Sequence, residues 1–110
     1  MIQVLVLAKF ELIQVLVLAK FEDADPFEWW SLAEGAYSEE NYSDALMYYK
    51  KSVEIAPYLH EGYFGIAKTY YQLGRLDSAE TAMASAVENA SRKEFRSLYE
   101  VKLQVLSNLE

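Results

Sequence analysis

The sequence has no cysteine, which removes disulfides, thiolate nucleophiles and Cys-ligated zinc, and makes a cytoplasmic setting the expectation. Its single histidine excludes a histidine-based metal cluster within one chain, so neither a metal nor a cofactor is expected. Glycine is scarce, with four scattered residues and no Gly-rich loop to cradle a phosphate. Basic residues are also in short supply. Ten Lys and Arg against 17 Asp and Glu give a net charge of −7, a field that repels nucleic-acid backbones and anionic membrane surfaces. No membrane span is expected either, because Lys9, Glu11, Lys20 and Glu22 interrupt the most apolar stretch. The same charges, with no basic residue ahead of them, make a secretory leader a poor fit. What remains is a chain of 110 residues, 53% hydrophobic and 25% charged, able to bury one modest core and too short for two ordinary domains.

The amino terminus is a perfect duplication. Ile2 to Glu11 reads IQVLVLAKFE, and Ile13 to Glu22 repeats it unchanged, the mark of a very recent or an introduced event. Its Val and Ile favour a strand, whereas the Leu-Ala-Lys-Phe-Glu pieces favour a helix. As a strand, the odd shift of 11 would send equivalent residues to opposite faces, and no turn residue separates the copies. Eleven residues are about three helical turns, so in a helix both copies present nearly the same faces. Residues 1–23 are therefore expected to form a long helix, apolar around most of its circumference and wanting cover on more than one side.

From Asp25 the pattern changes. Asp25 followed by Pro26 and Glu28 has the makings of a helix start, with the aspartate as N-cap and the proline where its missing N–H is harmless. Stops recur at Glu39-Glu40-Asn41, Ala56-Pro57, Leu73-Gly74 and Asn89-Ala90-Ser91, and the stretches between them have helical apolar spacing. The chain is predicted to be all-α from Pro26 onward. Residues 24–57 align with 58–91 at an offset of 34: Ala33 with Ala67, Tyr37 with Tyr71, Ala45 with Ala79, Val53 with Val87, Glu54 with Glu88 and Ala56 with Ala90. Two consecutive helix–turn–helix units are implied.

These residues resemble the tetratricopeptide repeat (TPR) family, whose pattern runs aromatic, Leu, small, aromatic, and later small, aromatic, Pro. The first unit supplies Trp29, Leu32, Ala33, Ala45, Tyr49 and Pro57; the second supplies Tyr63, Ile66, Ala67, Tyr70, Ala79, Met83 and Ala86. Ala36 replaces the large residue that Tyr70 provides, and Ser91 stands where a Pro would close the second unit. Glu40 stands where Gly74 makes a tight turn, so a looser first turn is expected. Facing alanines let antiparallel helix axes approach closely, with Trp29, Leu32, Tyr49 and Val53 filling the surrounding space. Two repeats alone leave faces uncovered. Residues 92–110 are the expected C-terminal capping helix, opened by a Ser91-to-Glu94 capping box and packing Phe95, Leu98, Tyr99, Leu103, Val105, Leu106 and Leu109. The N-terminal helix would cap the other end of this TPR-like α-solenoid.

The resemblance further implies that the first helix of each unit lines a concave groove, placing Phe27, Trp30, Glu34, Tyr37 and Ser38 there from the first unit and Glu61, Phe64, Lys68, Tyr71 and Gln72 from the second. Tyr and Trp make good anchors for a partner segment. Some TPR members grip acidic chaperone tails through a carboxylate clamp; the matching places here hold Trp30, Glu34, Gly65, Phe95 and Tyr99, so the clamp is missing. Without the clamp, a groove ligand is expected to be an apolar or basic segment, extended or helical, and the first unit's seven acidic residues against Lys50 and Lys51 would favour a basic partner near that end. His60, at a helix start beside Glu61, is expected to be a solvated residue rather than a general base, and no enzyme is expected. The leading reading is a protein–protein interaction module that binds a partner peptide or helix. The alternatives are a homo-oligomeric assembly unit pairing through Ile2–Glu22, and a small acidic chaperone of a secretion-system subunit.

Overall fold

The computed structural model describes residues 25–110. The helix expected over 1–23 and the duplication within it lie outside the described residues. Five α-helices and no strand occur among the described residues: α1 (Pro26–Ser38), α2 (Tyr42–Ile55), α3 (His60–Gln72), α4 (Leu76–Asn89) and α5 (Lys93–Leu109). The all-α reading and the paired-helix repeats are both present. Helices α1 and α2 pair, as do α3 and α4; α3 packs on α2, and α5 on α4.

The start of α1 follows from its sequence. Asp25 Oδ1 accepts hydrogen bonds from the backbone N–H groups of Phe27 and Glu28, each at 2.9 Å, satisfying two donors that a helix leaves orphaned. Pro26 occupies the first turn without losing a bond.

The two intra-repeat turns are built alike, contrary to the looser first turn expected at Glu40. Glu40 N–H donates to the Tyr37 carbonyl and Asn41 N–H to that of Ala36, both at 2.9 Å. Gly74 and Arg75 repeat this on Tyr71 and Tyr70 at 3.0 and 2.9 Å. Both turns need a left-handed residue, and Glu40 adopts φ 61° where Gly74 has φ 77°. The close approach of the paired helices fixes the turn, and the glutamate accepts the strain that glycine avoids.

Ala33, Ala45, Ala67 and Ala79 are fully buried where paired helices meet, as their small size requires. Tyr49, Met83 and Ala86 continue this core. Leu32 is a correction: it stays 36% exposed, whereas its counterpart Ile66 is buried. Ile66 lies in the middle of the stack, with α2 and α4 packed around α3; Leu32 lies on the first helix of the described stack, with no preceding helix among the described residues. Close approach between repeats is carried by Gly62 and Gly65 of α3. A Cβ at Gly65 would lie 2.6 Å from Tyr49 Cζ and closer still to two other ring carbons, and one at Gly62 would lie 2.5 Å from a Val53 methyl.

Helix α5 corrects two further expectations. The Ser91–Glu94 capping box does not form: the N-cap is Arg92 and makes no side-chain cap bond. The joint is tied by Arg96 instead, whose guanidinium donates to the Ala90 carbonyl from Nε at 3.3 Å and from Nη2 at 3.0 Å. Nor does α5 pack a broad apolar face. Tyr99 and Leu106 are buried and Leu103 is half-buried, while Phe95, Leu98, Val101, Val105 and Leu109 remain exposed. A helix resting on one side of a two-helix layer covers only the stripe facing it, here residues 99, 103 and 106 at i, i+4, i+7.

Candidate partner-binding groove

Successive first helices α1, α3 and α5 repeat at the 34-residue interval. Trp30, Phe64 and Leu98 therefore occupy one corresponding place, Glu34, Lys68 and Lys102 a second, and Tyr37, Tyr71 and Val105 a third. Outer places are aromatic or aliphatic, and the central one is charged. A furrow of about 350 Å³ opens between α3 and α5. Its walls are Tyr37, Phe64, Lys68 and Tyr71 on one side and Val101, Lys102 and Val105 on the other, above a floor of Ala67, Met83 and Leu106. Tyr71 is 50% exposed, Val101 64% and Val105 53%, so this apolar surface is open to a guest.

The central charges are not equivalent. Lys68 Nζ lies 2.9 Å from Glu34 Oε1, joining the two repeats, and 4.5 Å from the Tyr37 ring centroid. The same carboxylate oxygen accepts a hydrogen bond from Tyr49. Burial, reinforced by that bond and the Glu34 charge, pushes the Tyr49 hydroxyl well above the ordinary tyrosine range, so it stays protonated as a donor. Lys102 Nζ lies 5.7 Å from the Phe64 ring centroid and pairs with no carboxylate among the described residues. Gln72 donates a long bond, 3.4 Å, to the Tyr37 hydroxyl. The one first-unit carboxylate held in this array, Glu34, is neutralised by Lys68, which leaves Lys102 as its uncompensated charge among the described residues.

The predicted groove residues are distributed as follows. Tyr37, Phe64, Lys68 and Tyr71 line the furrow, and Glu34 and Gln72 hold Lys68 and Tyr37. Trp30 packs against the core, Phe27 is exposed on the first turn of α1, and Ser38 donates to the Glu34 carbonyl at 3.0 Å. Glu61 pairs with His60 away from the furrow. Val101, Lys102 and Val105 were missed, although carrying the 34-residue offset once more, from Lys68 to Lys102 and Tyr71 to Val105, points straight at two of them.

His60 is not a solvated surface residue. Its side chain is 14% exposed, its Nδ1 lies 2.8 Å from the Tyr99 hydroxyl, and its ring sits 5.0 Å from that of Phe95. Burial, with the Glu61 charge adding to it, pushes the Tyr99 hydroxyl up to about 12. With Phe64 stacked on Tyr99 at 5.3 Å, this cluster fixes α5 against α3 and so sets the width of the furrow.

Antiparallel helix pairs repeated every 34 residues, with an open face on the first helices, define a helical-repeat scaffold. A family model for the tetratricopeptide repeat matches residues 36–100, and the chain belongs to that family. A solution NMR structure of a tetratricopeptide repeat domain protein from Salinibacter ruber is similar at 28% identity and a TM-score of 0.74, covering 79% of this chain and 91% of that one. A crystal structure of a tetratricopeptide repeat domain protein from the same organism gives 28% identity and a TM-score of 0.72, covering 78% and 100%. No curated protein matches the chain. The family builds protein–protein interaction modules on a fold that is generally a non-catalytic scaffold. Among the described residues, no helix is long and apolar enough to cross a membrane.

Proposed function

We propose that this chain captures a segment of another protein, non-covalently, in the furrow between α3 and α5. The observation that carries the reading is the furrow itself: about 350 Å³ of open apolar space along which Tyr71, Val101 and Val105 stay exposed among the described residues. Tyr71 supplies an amphipathic anchor, and the buried floor of Met83 and Leu106 supplies a desolvated seat for a partner side chain. Peptides selected against the full chain from a displayed library test this by calorimetric titration. The Tyr71→Ala, Val105→Ala double variant removes exposed side chains only, so helicity should hold while affinity falls roughly tenfold or more. Undiminished affinity with intact helicity would reject the furrow.

A further inference from the structure

The furrow also carries information about the shape and charge of its guest, an inference that rests on the furrow being the binding face. We infer that its ligand is an amphipathic α-helix lying along α3 and α5, with one acidic residue inside its apolar stripe placed against Lys102. Two observations carry this.

The first is backbone satisfaction. Phe64, Lys68 and Tyr71 on α3, and Leu98, Lys102 and Val105 on α5, form two rows at i, i+4, i+7, each about 10 Å long at the helical rise. Each wall is a helix whose backbone groups are engaged internally, so the furrow offers no edge for strand addition. An extended guest would have to find side-chain or water partners for those of its N–H and C=O groups that face the apolar walls. The lining offers few polar groups to such a backbone: it is mostly aromatic and aliphatic, and the Lys68 ammonium already donates to Glu34. A helical guest brings its backbone bonds with it and presents only side chains, which is what an apolar furrow between two parallel rows accepts.

The second is charge. The corresponding residues Glu34, Lys68 and Lys102 read minus, plus, plus, and the first two cancel at 2.9 Å. Lys102 is half-buried and lines the furrow; its ammonium lies 5.7 Å from the Phe64 ring centroid and forms no ion pair among the described residues. A carboxylate on the guest completes the alternation; a cation at that place meets unrelieved repulsion. The whole-chain charge of −7 disfavours a guest acidic throughout, so the acid is a single residue within an otherwise neutral or basic helix.

The probes are three synthetic peptides of about eighteen residues, long enough to sustain some helix alone. All share a Leu stripe at i, i+4, i+7 on an Ala and Lys background. One has Glu at the centre of the stripe, one has Lys there, and one keeps Glu but carries a mid-sequence Pro. Titration into the isotope-labelled full chain should shift α3 and α5 amides, with the Glu peptide binding about tenfold tighter than the Lys peptide. The Pro peptide should lose most of that affinity. Lys102→Met keeps the apolar stem, so the Glu-over-Lys preference should shrink to within about twofold. Equal binding of the Glu and Lys peptides, a Pro peptide as tight as its parent, or failure of all three to move α3 and α5 would each overturn the inference. Concentration-dependent broadening of those amides without peptide would give the furrow to a second copy and overturn it as well. If library-selected peptides need Tyr71 and Val105 but show neither helix nor acid preference, this inference falls while the proposed function stands; if they need neither residue, both fall.

Discussion

Gly35 and Gly65 both sit inside helices, and the same change to alanine should move stability in opposite directions. At Gly35, on the exposed side of α1, a Cβ would meet nothing within 4 Å among the described residues. Gly35→Ala then relieves only the helix-interior penalty of glycine and should stabilise by about 0.5–1 kcal/mol. Gly65→Ala gains the same propensity but drives its methyl into the Tyr49 ring, 2.6 Å from Cζ and nearer to Cδ1 and Cε1. That ring is fully buried and its hydroxyl is held by Glu34, so it has no free space to rotate into. Overpacking of this kind costs about 1–3 kcal/mol, toward the upper end where the obstacle is a fixed ring, so the net loss should be about 1–2 kcal/mol. Urea titration followed by helical circular dichroism reads both changes, with the slope on denaturant unchanged if only stability moves. Gly65→Ala should lower Tm by roughly 5–15 °C in a domain of this size. A Gly65→Ala variant as stable as its parent would mean that α2 and α3 do not meet across that glycine, and the repeat-to-repeat packing described above would be wrong.

Three further outcomes follow from the same structure. Glu40→Gly relieves a left-handed glutamate and should stabilise by about 1 kcal/mol, whereas Gly74→Ala at the equivalent turn should cost about as much; urea midpoints decide both. Asp25→Ala removes the acceptor for two backbone donors at the head of α1 and should cost about 1 kcal/mol by the same measurement, with Asp25→Asn close to neutral. Glu110 is held up to about 7 by hydrogen bonds to Glu80 and Asp77 and by their charges. The folded state therefore keeps a proton that the unfolded state releases above its ordinary value near 4.5, so this contribution is full below that value and is lost as pH rises through about 7. Thermal melts from pH 4.5 to 8 should show that loss, and Glu110→Gln should flatten it.

The helices were legible because their signals are local. Asp25-Pro26 announces a start, Gly74 announces a turn, and the 34-residue recurrence of alanine and aromatic residues announces stacked pairs. Local signals failed where two ends of a turn are pulled together by packing elsewhere. Glu40 carries no mark of a left-handed residue, yet the meeting of α1 and α2 at Ala33 and Ala45 demands one. The capping box at Ser91 failed for a related reason: the helix begins two residues later, and an arginine from its own first turn reaches back to bind the Ala90 carbonyl. Half of the groove was readable, since Tyr37, Phe64, Lys68 and Tyr71 fall at repeat positions. The opposite wall was masked by the look of α5 as a helix with one broad face to bury, although the same 34-residue offset reaches Lys102 and Val105.

By itself, the order of residues determined the periodicity, the class of fold and which helices would be neighbours, because spacing between small and aromatic side chains is a property of the chain alone. Which apolar residues of α5 go inside, which charge cancels which, and how wide the furrow opens were decided only in three dimensions. A side chain's burial and the pairing of Glu34 with Lys68, thirty-four positions apart, depend on what the packed neighbours leave accessible, and no local pattern encodes that geometry.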